Sequence, residues 1–124
     1  MNDGCIFCAI VAGAIPSTQV GESENVLAFR DLNPAAPVHV LLVPREHVAE
    51  SAADLTAAHG PLLGELFELA ASIADGEGLD ATFRLITNSG PGAGQSVFHL
   101  HFHLLGGWSR RGDTPKPLAE ETGG

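Results

Sequence analysis

The sequence has few cationic residues, few aromatic residues and only two cysteines. Its 124 residues include six Lys and Arg against fifteen Asp and Glu, for a formal net charge of -9. Such a surface repels a long polyanion, so we expect no binding to nucleic acid, whereas a histidine or backbone N–H groups can still hold a small phosphate ligand. Two cysteines are too few for a fold that is stabilised by several disulfide bonds. The 44% content of hydrophobic residues is sufficient for one buried core.

Long apolar stretches are absent as well. No run approaches the roughly 20 residues that a membrane-crossing helix needs. Residues 1–4 lack the basic start and apolar stretch of a signal peptide. We therefore expect a cytoplasmic protein with no membrane partner, in which Cys5 and Cys8 are thiols or metal ligands.

The remaining pattern predicts one α+β domain over residues 1–107, followed by a partly flexible tail over residues 108–124. After a short helical turn at Cys5–Ala12, the strands are expected at Thr18–Gly21, Val26–Asp31, Val38–Pro44, Thr82–Asn88 and Ser96–Leu105. One main helix is expected from Asp54, or from a start nearer His59, to about Asp75. This order favours an antiparallel sheet of about five strands with the helix on one face.

Three histidines alternate in the last predicted strand, at His99, His101 and His103. Because side chains alternate along a strand, all three are expected to point to one face. Three adjacent imidazoles each need hydrogen-bond partners and are costly unless they are used, so they indicate a functional site. Spacing alone leaves two uses open: the middle imidazole can be a nucleophile, or the histidines can bind a catalytic zinc.

The loop before these histidines favours the first use. Residues 88–96 combine glycines with polar side chains, so backbone N–H groups can approach an anion and Ser96 can bond to a leaving group or a phosphate oxygen. An ordinary hairpin loop can have a similar composition. Beside three histidines, however, the loop favours chemistry at phosphorus.

These segments resemble the histidine-triad superfamily. The stretch His99–Leu105 is similar to its signature of three histidines alternating with apolar residues. Four further segments resemble the Hint branch, whose members are purine nucleoside phosphoramidases: Leu27–Pro34, Pro37–Pro44, Gly94–Phe98 and Gly106–Gly107. The resemblance covers roughly Cys5–Gly107, and the tail departs from the branch because Trp108 follows the two glycines directly.

The resemblance implies an enzyme that cleaves the P–N bond of purine nucleoside 5'-phosphoramidates. It makes His101 the nucleophile that forms a covalent nucleotidyl-histidine, Ser96 the residue that assists the leaving amine, and His39 a neighbour of the nucleophile. The residues it implies in nucleotide binding are Ile15, Phe29, Asp31, Leu32, Asn88, Gly94, Gln95, Ser96 and His103. It also implies a homodimer whose sheets join across the two-fold axis, and no organic cofactor.

For some of these residues a purely structural role stays open, and other functions of the protein stay open as well. Phe29 and Leu32 can be core residues, and Asp31 before Asn33 can be a turn residue. The protein can instead hydrolyse dinucleoside polyphosphates or other nucleotidyl anhydrides. It can also be a nucleotide-binding regulatory protein with incidental activity.

Cys5 and Cys8 have the two-residue gap of a zinc half-site. The resemblance implies that His47 and His99 complete a closed four-ligand set around a structural zinc, with His101 outside the set. Other Hint proteins lack the cysteines, so the fold itself does not require the metal.

Overall fold

The computed structural model describes residues 4–108, which form a five-stranded antiparallel sheet and two α-helices. The helices are α1 (Ile6–Val11) and α2 (Gly60–Gly76), and the strands are β1 (Gln19–Glu22), β2 (Val26–Arg30), β3 (Val38–Pro44), β4 (Phe83–Ile86) and β5 (Phe102–Gly106). The strand order is β1-β2-β3-β5-β4, and every neighbouring pair is antiparallel. The α+β prediction is confirmed. Within residues 4–108, no helix is long and apolar enough to cross a membrane.

Strand β3 lies at the centre of the sheet and is buried along its whole length, as its continuous apolar run predicts. Val40 and Leu42 face α2, in a core cluster that also contains Leu66 and Leu104. Leu41 and Val43 face the other way and join a smaller cluster formed by Phe7, Leu27, Phe29, Leu41 and Val43. The sheet is therefore covered by α2 on one face and by α1 on the other.

Helix α2 begins at Gly60, so the prediction of a cap at Asp54 is wrong and the alternative start near His59 is correct. Asp54 lies in a short 3₁₀ turn, Ala52–Asp54, that precedes the helix. Pro61 explains the start, because proline has no N–H to donate and is therefore tolerated only in the first helical turn. The helix ends at Gly76, close to the predicted Asp75.

Strand β5 is shorter than predicted, because it begins at Phe102 instead of Ser96. Its register pairs Leu42 with Phe102, and its partner β3 ends two residues later at Pro44. A proline has no N–H with which to continue the ladder, so the chain before Phe102 leaves the sheet. Only His103 of the three histidines lies in a strand, and the prediction that one strand carries all of them is wrong.

Trp108, the first residue of the predicted tail, is buried against Ala36 and Leu105. The Arg84 guanidinium lies 5.7 Å from the centroid of its ring, within reach of a cation–π interaction. Residues 109–124 lie outside the described residues, so the division into a domain and a tail stays a prediction.

Candidate active site and metal site

His101 is buried beside α1, and its hydrogen bonding fixes its tautomer. Its Nδ1 lies 2.8 Å from the carbonyl oxygen of His99. A carbonyl oxygen only accepts hydrogen bonds, so Nδ1 carries the proton and donates it. In the neutral ring, Nε2 then carries the lone pair, which is the arrangement that a nucleophilic imidazole needs.

His103 is oriented by a chain of hydrogen bonds that begins at a backbone amide. The N–H of Ala35 donates to Nδ1 of His39 at 3.0 Å, so the proton of that neutral ring sits on Nε2. His39 Nε2 lies 2.9 Å from Nδ1 of His103 and donates to it. The proton of the His103 ring is therefore on Nε2. The carboxylate of Asp31 lies alongside, with Oδ2 at 3.5 Å from His39 Nε2.

The Nε2–H of His103 is a buried donor that has no hydrogen-bond partner among residues 4–108. Burial, with a smaller contribution from nearby His101 and His39, lowers the pKa of His103 to about 3. The ring is thus neutral at physiological pH and offers one N–H. Because an unsatisfied buried donor is costly, it is suited to a ligand oxygen that arrives from outside.

These groups open into a cavity of about 290 Å³, near the lower end of the size range of ligand pockets. Seven of the residues predicted in catalysis or nucleotide binding line it: Ile15, Phe29, Asp31, Leu32, Ser96, His101 and His103. Leu32 is 90% exposed at the rim, so it is not a core residue. Asp31 accepts from the N–H of Asn33 at 2.8 Å, so it forms the turn and also reaches the cavity.

Four other predicted site residues lie away from the cavity wall, namely His39, Asn88, Gly94 and Gln95. The amide of Gln95 accepts from the N–H of Gly90 and donates to two carbonyl oxygens, those of Glu50 and Val97. Gln95 thus fixes the glycine-rich loop from beneath. Gly94 adopts a φ of +99°, which glycine tolerates best. The Nδ2 of Asn88 is a buried donor with no partner among the described residues.

The sequence interpretation overlooked the apolar wall that α1 supplies. Ile6, Phe7 and Ile10 line the cavity, as do Leu41 and Val97 from other segments. Phe7 and Ile10 are three residues apart in a predicted helical turn, so they share one face of α1. The sequence spacing could therefore have indicated that Phe7 and Ile10 act together, but only the tertiary structure shows that this face of α1 covers the cavity.

Cys5, Cys8, His47 and His99 converge on one point beside the cavity, with their donor atoms all within 4.8 Å of one another. The Sγ–Nδ1 distances are 3.4 Å for Cys5–His99, 3.5 Å for Cys8–His47 and 3.6 Å for Cys8–His99. A sulfur ligand at ~2.3 Å and a nitrogen ligand at ~2.05 Å on a tetrahedron lie about 3.6 Å apart. The four residues therefore fit a tetrahedral zinc with little movement.

The protonation chemistry of the cluster also suits a metal. The Nε2–H of His99 donates to the carbonyl oxygen of Pro44 at 2.8 Å, which leaves the Nδ1 lone pair directed at the cluster. Burial lowers the pKa of His99 and keeps this ring neutral, the form that binds metals. Burial also raises the pKa of the Cys5 thiol, and a divalent cation supplies the charge that a buried thiolate needs.

The geometry distinguishes between a nucleophilic imidazole and a catalytic zinc bound by all three histidines, the two uses that the spacing left open. His99 is directed at the cysteines, whereas Nδ1 of His101 faces a carbonyl oxygen and Nδ1 of His103 faces His39. The three rings therefore do not converge on one ion. Asp31, His39 and His103 form a second group of close donor atoms, but the proton on Nε2 of His39 makes that group a hydrogen-bond relay.

Comparisons with known proteins agree with these motifs. A family model described as HIT domain matches residues 12–110. The chain is 47% identical over 105 residues to the 14 kDa zinc-binding protein of Zea mays, covering 82% of this chain and 80% of that protein. It is 41% identical over 108 residues to the purine nucleoside phosphoramidase of Escherichia coli K12, covering 86% and 90%. The solved structure of a HIT family hydrolase from Clostridium thermocellum superposes with a TM-score of 0.85 at 42% identity, covering 95% of this chain and 100% of that one.

Proposed function

The chain belongs to the HIT domain family, and we propose that it is a nucleotide hydrolase of this family that cleaves the P–N bond of purine nucleoside 5'-phosphoramidates. The observation that carries the proposal is the pairing of two imidazoles with opposite roles in one cavity. His101 presents a nitrogen lone pair, and His103 beside it presents a buried N–H that has no partner among residues 4–108.

The first step forms a bond between Nε2 of His101 and the substrate phosphorus while the P–N bond to the leaving amine breaks. The Nε2–H of His103 donates to a phosphoryl oxygen, and the Ser96 hydroxyl gives its proton to the departing nitrogen while it takes one from solvent water, so the amine leaves neutral. The His101 ring gains positive charge as the N–P bond forms. Its Nδ1–H donates to the His99 carbonyl oxygen, and this bond strengthens as the charge develops.

The second step hydrolyses the nucleotidyl-histidine. Water attacks phosphorus, the P–Nε2 bond breaks, and the electron pair returns to His101, so the ring is neutral again. The attacking water gives one proton back to the solvent, which balances the proton that the amine took up in the first step, and the products are a nucleoside monophosphate and the amine. The neutral relay from Ala35 through His39 keeps His103 as a donor through both steps.

The nucleoside part is assigned to the outer half of the cavity. Asp31 is placed to accept hydrogen bonds from ribose hydroxyls through Oδ2. Phe29, Leu32 and Ile15, together with α1, offer an apolar slot for the purine. Asn88 and the Gly94–Gln95 turn lie behind the cavity wall, so we assign them to support of the loop that carries Ser96 and not to direct contact with the phosphate.

A substrate panel tests the reaction class. We expect kcat/KM for adenosine 5'-phosphoramidate to exceed that for diadenosine polyphosphates by at least about tenfold, because His103 and Ser96 provide donors for one phosphoryl group and one leaving amine. Preferred turnover of the diadenosine substrates would instead identify an anhydride hydrolase. Tight binding of adenosine monophosphate without turnover of either substrate would identify a binding protein.

We also propose that the protein is a homodimer. Among the described residues, β4 has a hydrogen-bonded neighbour strand on one side only, so its other edge is available to a second sheet. Light scattering of the purified protein is expected to give about twice the chain mass of 12.8 kDa. A single-chain mass at micromolar concentration would contradict the dimer and leave the assigned chemistry intact.

A further inference from the structure

Helix α1 lies between the metal cluster and the cavity, and it is part of both. Cys5 caps it, because its Sγ accepts from the N–H of Cys8 at 3.3 Å, and both sulfurs contact the histidines of the cluster. The same helix gives three side chains to the cavity wall, including Phe7. A helix of six residues is far too short to be stable alone, so its position depends on these attachments.

The two sites meet at Phe7 and at His99, whose carbonyl oxygen accepts from Nδ1 of His101. Phe7 stands between the two cysteines and is 6% exposed. Its ring packs edge-to-face against His101 at 4.9 Å between centroids and 80° between planes, and against Phe29 at 5.7 Å. It also lies 6.0 Å from the ring of His99, a member of the metal cluster. The Phe7 ring therefore contacts a cluster residue and the proposed nucleophile at once.

The hydrogen bond from Nδ1 to the His99 carbonyl fixes one ring atom of His101. It fixes the tautomer but permits the imidazole to swing about the N···O line. The edge-to-face contact with Phe7 restrains that swing, since the ring of His101 cannot tilt without losing it. The His103 ring also packs against His101, at 5.2 Å between centroids. Nε2 is the atom farthest from the hydrogen bond, so its direction depends on these two ring contacts, of which the one with Phe7 is the shorter.

We propose that Phe7 is a positioning residue that couples occupancy of the Cys5–Cys8–His47–His99 metal site to the orientation of the nucleophile His101. Metal binding ties both cysteines to His47 and His99 and so fixes the turn of α1 that carries Phe7. The proposal rests on the proposed function for the role of His101, but the coupling itself concerns the position of a ring and is observable without turnover.

The first test replaces Phe7 with leucine and compares it with Phe67→Leu. Phe67 forms a similar edge-to-face pair with Phe102 at 5.7 Å, on α2 at the other face of the sheet, so it controls for loss of an aromatic pair as such. We expect Phe7→Leu to keep one zinc per chain and to lower kcat roughly three- to tenfold. Phe67→Leu is expected to leave kcat unchanged.

Imidazole NMR of the same proteins gives a readout that does not depend on activity. In wild type, His101 is expected to show the Nδ1–H tautomer with ring-current-shifted carbon-bound protons. In Phe7→Leu the ring-current shift is lost with the phenyl ring itself, so the readout of position is the line width, and we expect the His101 ring signals to broaden. The signals of His39, which is held by the N–H of Ala35, should stay sharp.

The second test removes zinc reversibly with a chelator from wild type and from Phe7→Leu, with circular dichroism to establish that each remains folded. We expect zinc removal to broaden the His101 signals of wild type as Phe7→Leu does, and to broaden those of Phe7→Leu little further. Such non-additivity is the signature of two changes that act through one contact. If metal-free protein unfolds, the coupling to occupancy is rejected, and the comparison on zinc-loaded protein decides the positioning role of Phe7 alone.

Two results would overturn the coupling. One is His101 signals that are as sharp in Phe7→Leu as in wild type, with any kinetic effect confined to KM, which would make Phe7 a wall of the pocket only. The other is folded, metal-free wild type in which the His101 ring is undisturbed. Absence of phosphoramidate turnover in wild type would count against the proposed function instead, because the NMR comparison would still report on the ring.

Discussion

Replacing His101 with alanine is expected to lower kcat for adenosine 5'-phosphoramidate by at least about a thousandfold. The loss should be this large because the variant removes Nε2, the atom that forms the covalent intermediate. Loss of a positioning contact such as that with Phe7 would only misorient this atom. KM should change little if Asp31 and the apolar wall provide most of the affinity for the nucleoside. Steady-state kinetics and trapping of the nucleotidyl-enzyme by mass spectrometry measure both effects.

His59→Ala is the matched control for this variant. His59 is the histidine at the start of α2, where it accepts from the N–H of Thr56 at 2.9 Å, and it lies outside the cavity that holds His101. Its replacement removes an imidazole from the protein without touching the proposed chemistry. Equal rates for His101→Ala and wild type would eliminate covalent catalysis by His101.

Removal of the metal is expected to have the second large effect, on stability. We expect zinc-free protein to unfold at a temperature at least about 10 °C lower, equivalent to roughly 2–3 kcal/mol for a domain of this size. The ion would link the two cysteines at the start of α1 to His47 and His99. Neither the hydrophobic core nor the hydrogen bonds of the sheet provide an equivalent link. Differential scanning calorimetry with elemental analysis of the same samples measures the shift and the metal content.

The matched pair for this prediction is Cys8→Ser against Ala9→Ser. The two substitutions place the same hydroxyl in neighbouring positions of α1, but only the first removes a metal-ligating sulfur. We expect Cys8→Ser to reproduce the loss seen on chelation and Ala9→Ser to melt close to wild type. Wild type that contains one zinc per chain yet melts unchanged after chelation would show that the site does not stabilise the fold.

The sequence was sufficient for the parts of the fold that depend on local pattern. The apolar run of β3 predicted a strand buried on both faces, and Pro61 marked the true start of α2. The length of β5 was not predictable in the same way. It is limited by Pro44 on a different strand, and that limit exists only once the register of the two strands is known.

The sequence also contained the composition of both sites. The alternating histidines, the polar loop before them and the cysteine pair identified the residue types, and the family resemblance connected them to phosphorus chemistry and zinc. His47 entered the metal set only through that resemblance, since 39 residues separate it from Cys8.

The family resemblance proposed a separate role for each of the three histidines, and the tertiary structure supplies the physical reason for the difference. The three rings are chemically identical in the sequence, and their roles differ because each donates or accepts at a different neighbour. Pro44 directs the lone pair of His99 to the cysteines, the His99 carbonyl directs that of His101 to the cavity, and His39 leaves His103 as a donor. A tautomer depends on partners that are distant in sequence. The sequence therefore determined the chemistry available to this protein, and the packing of α1 and β3 determined where each proton sits.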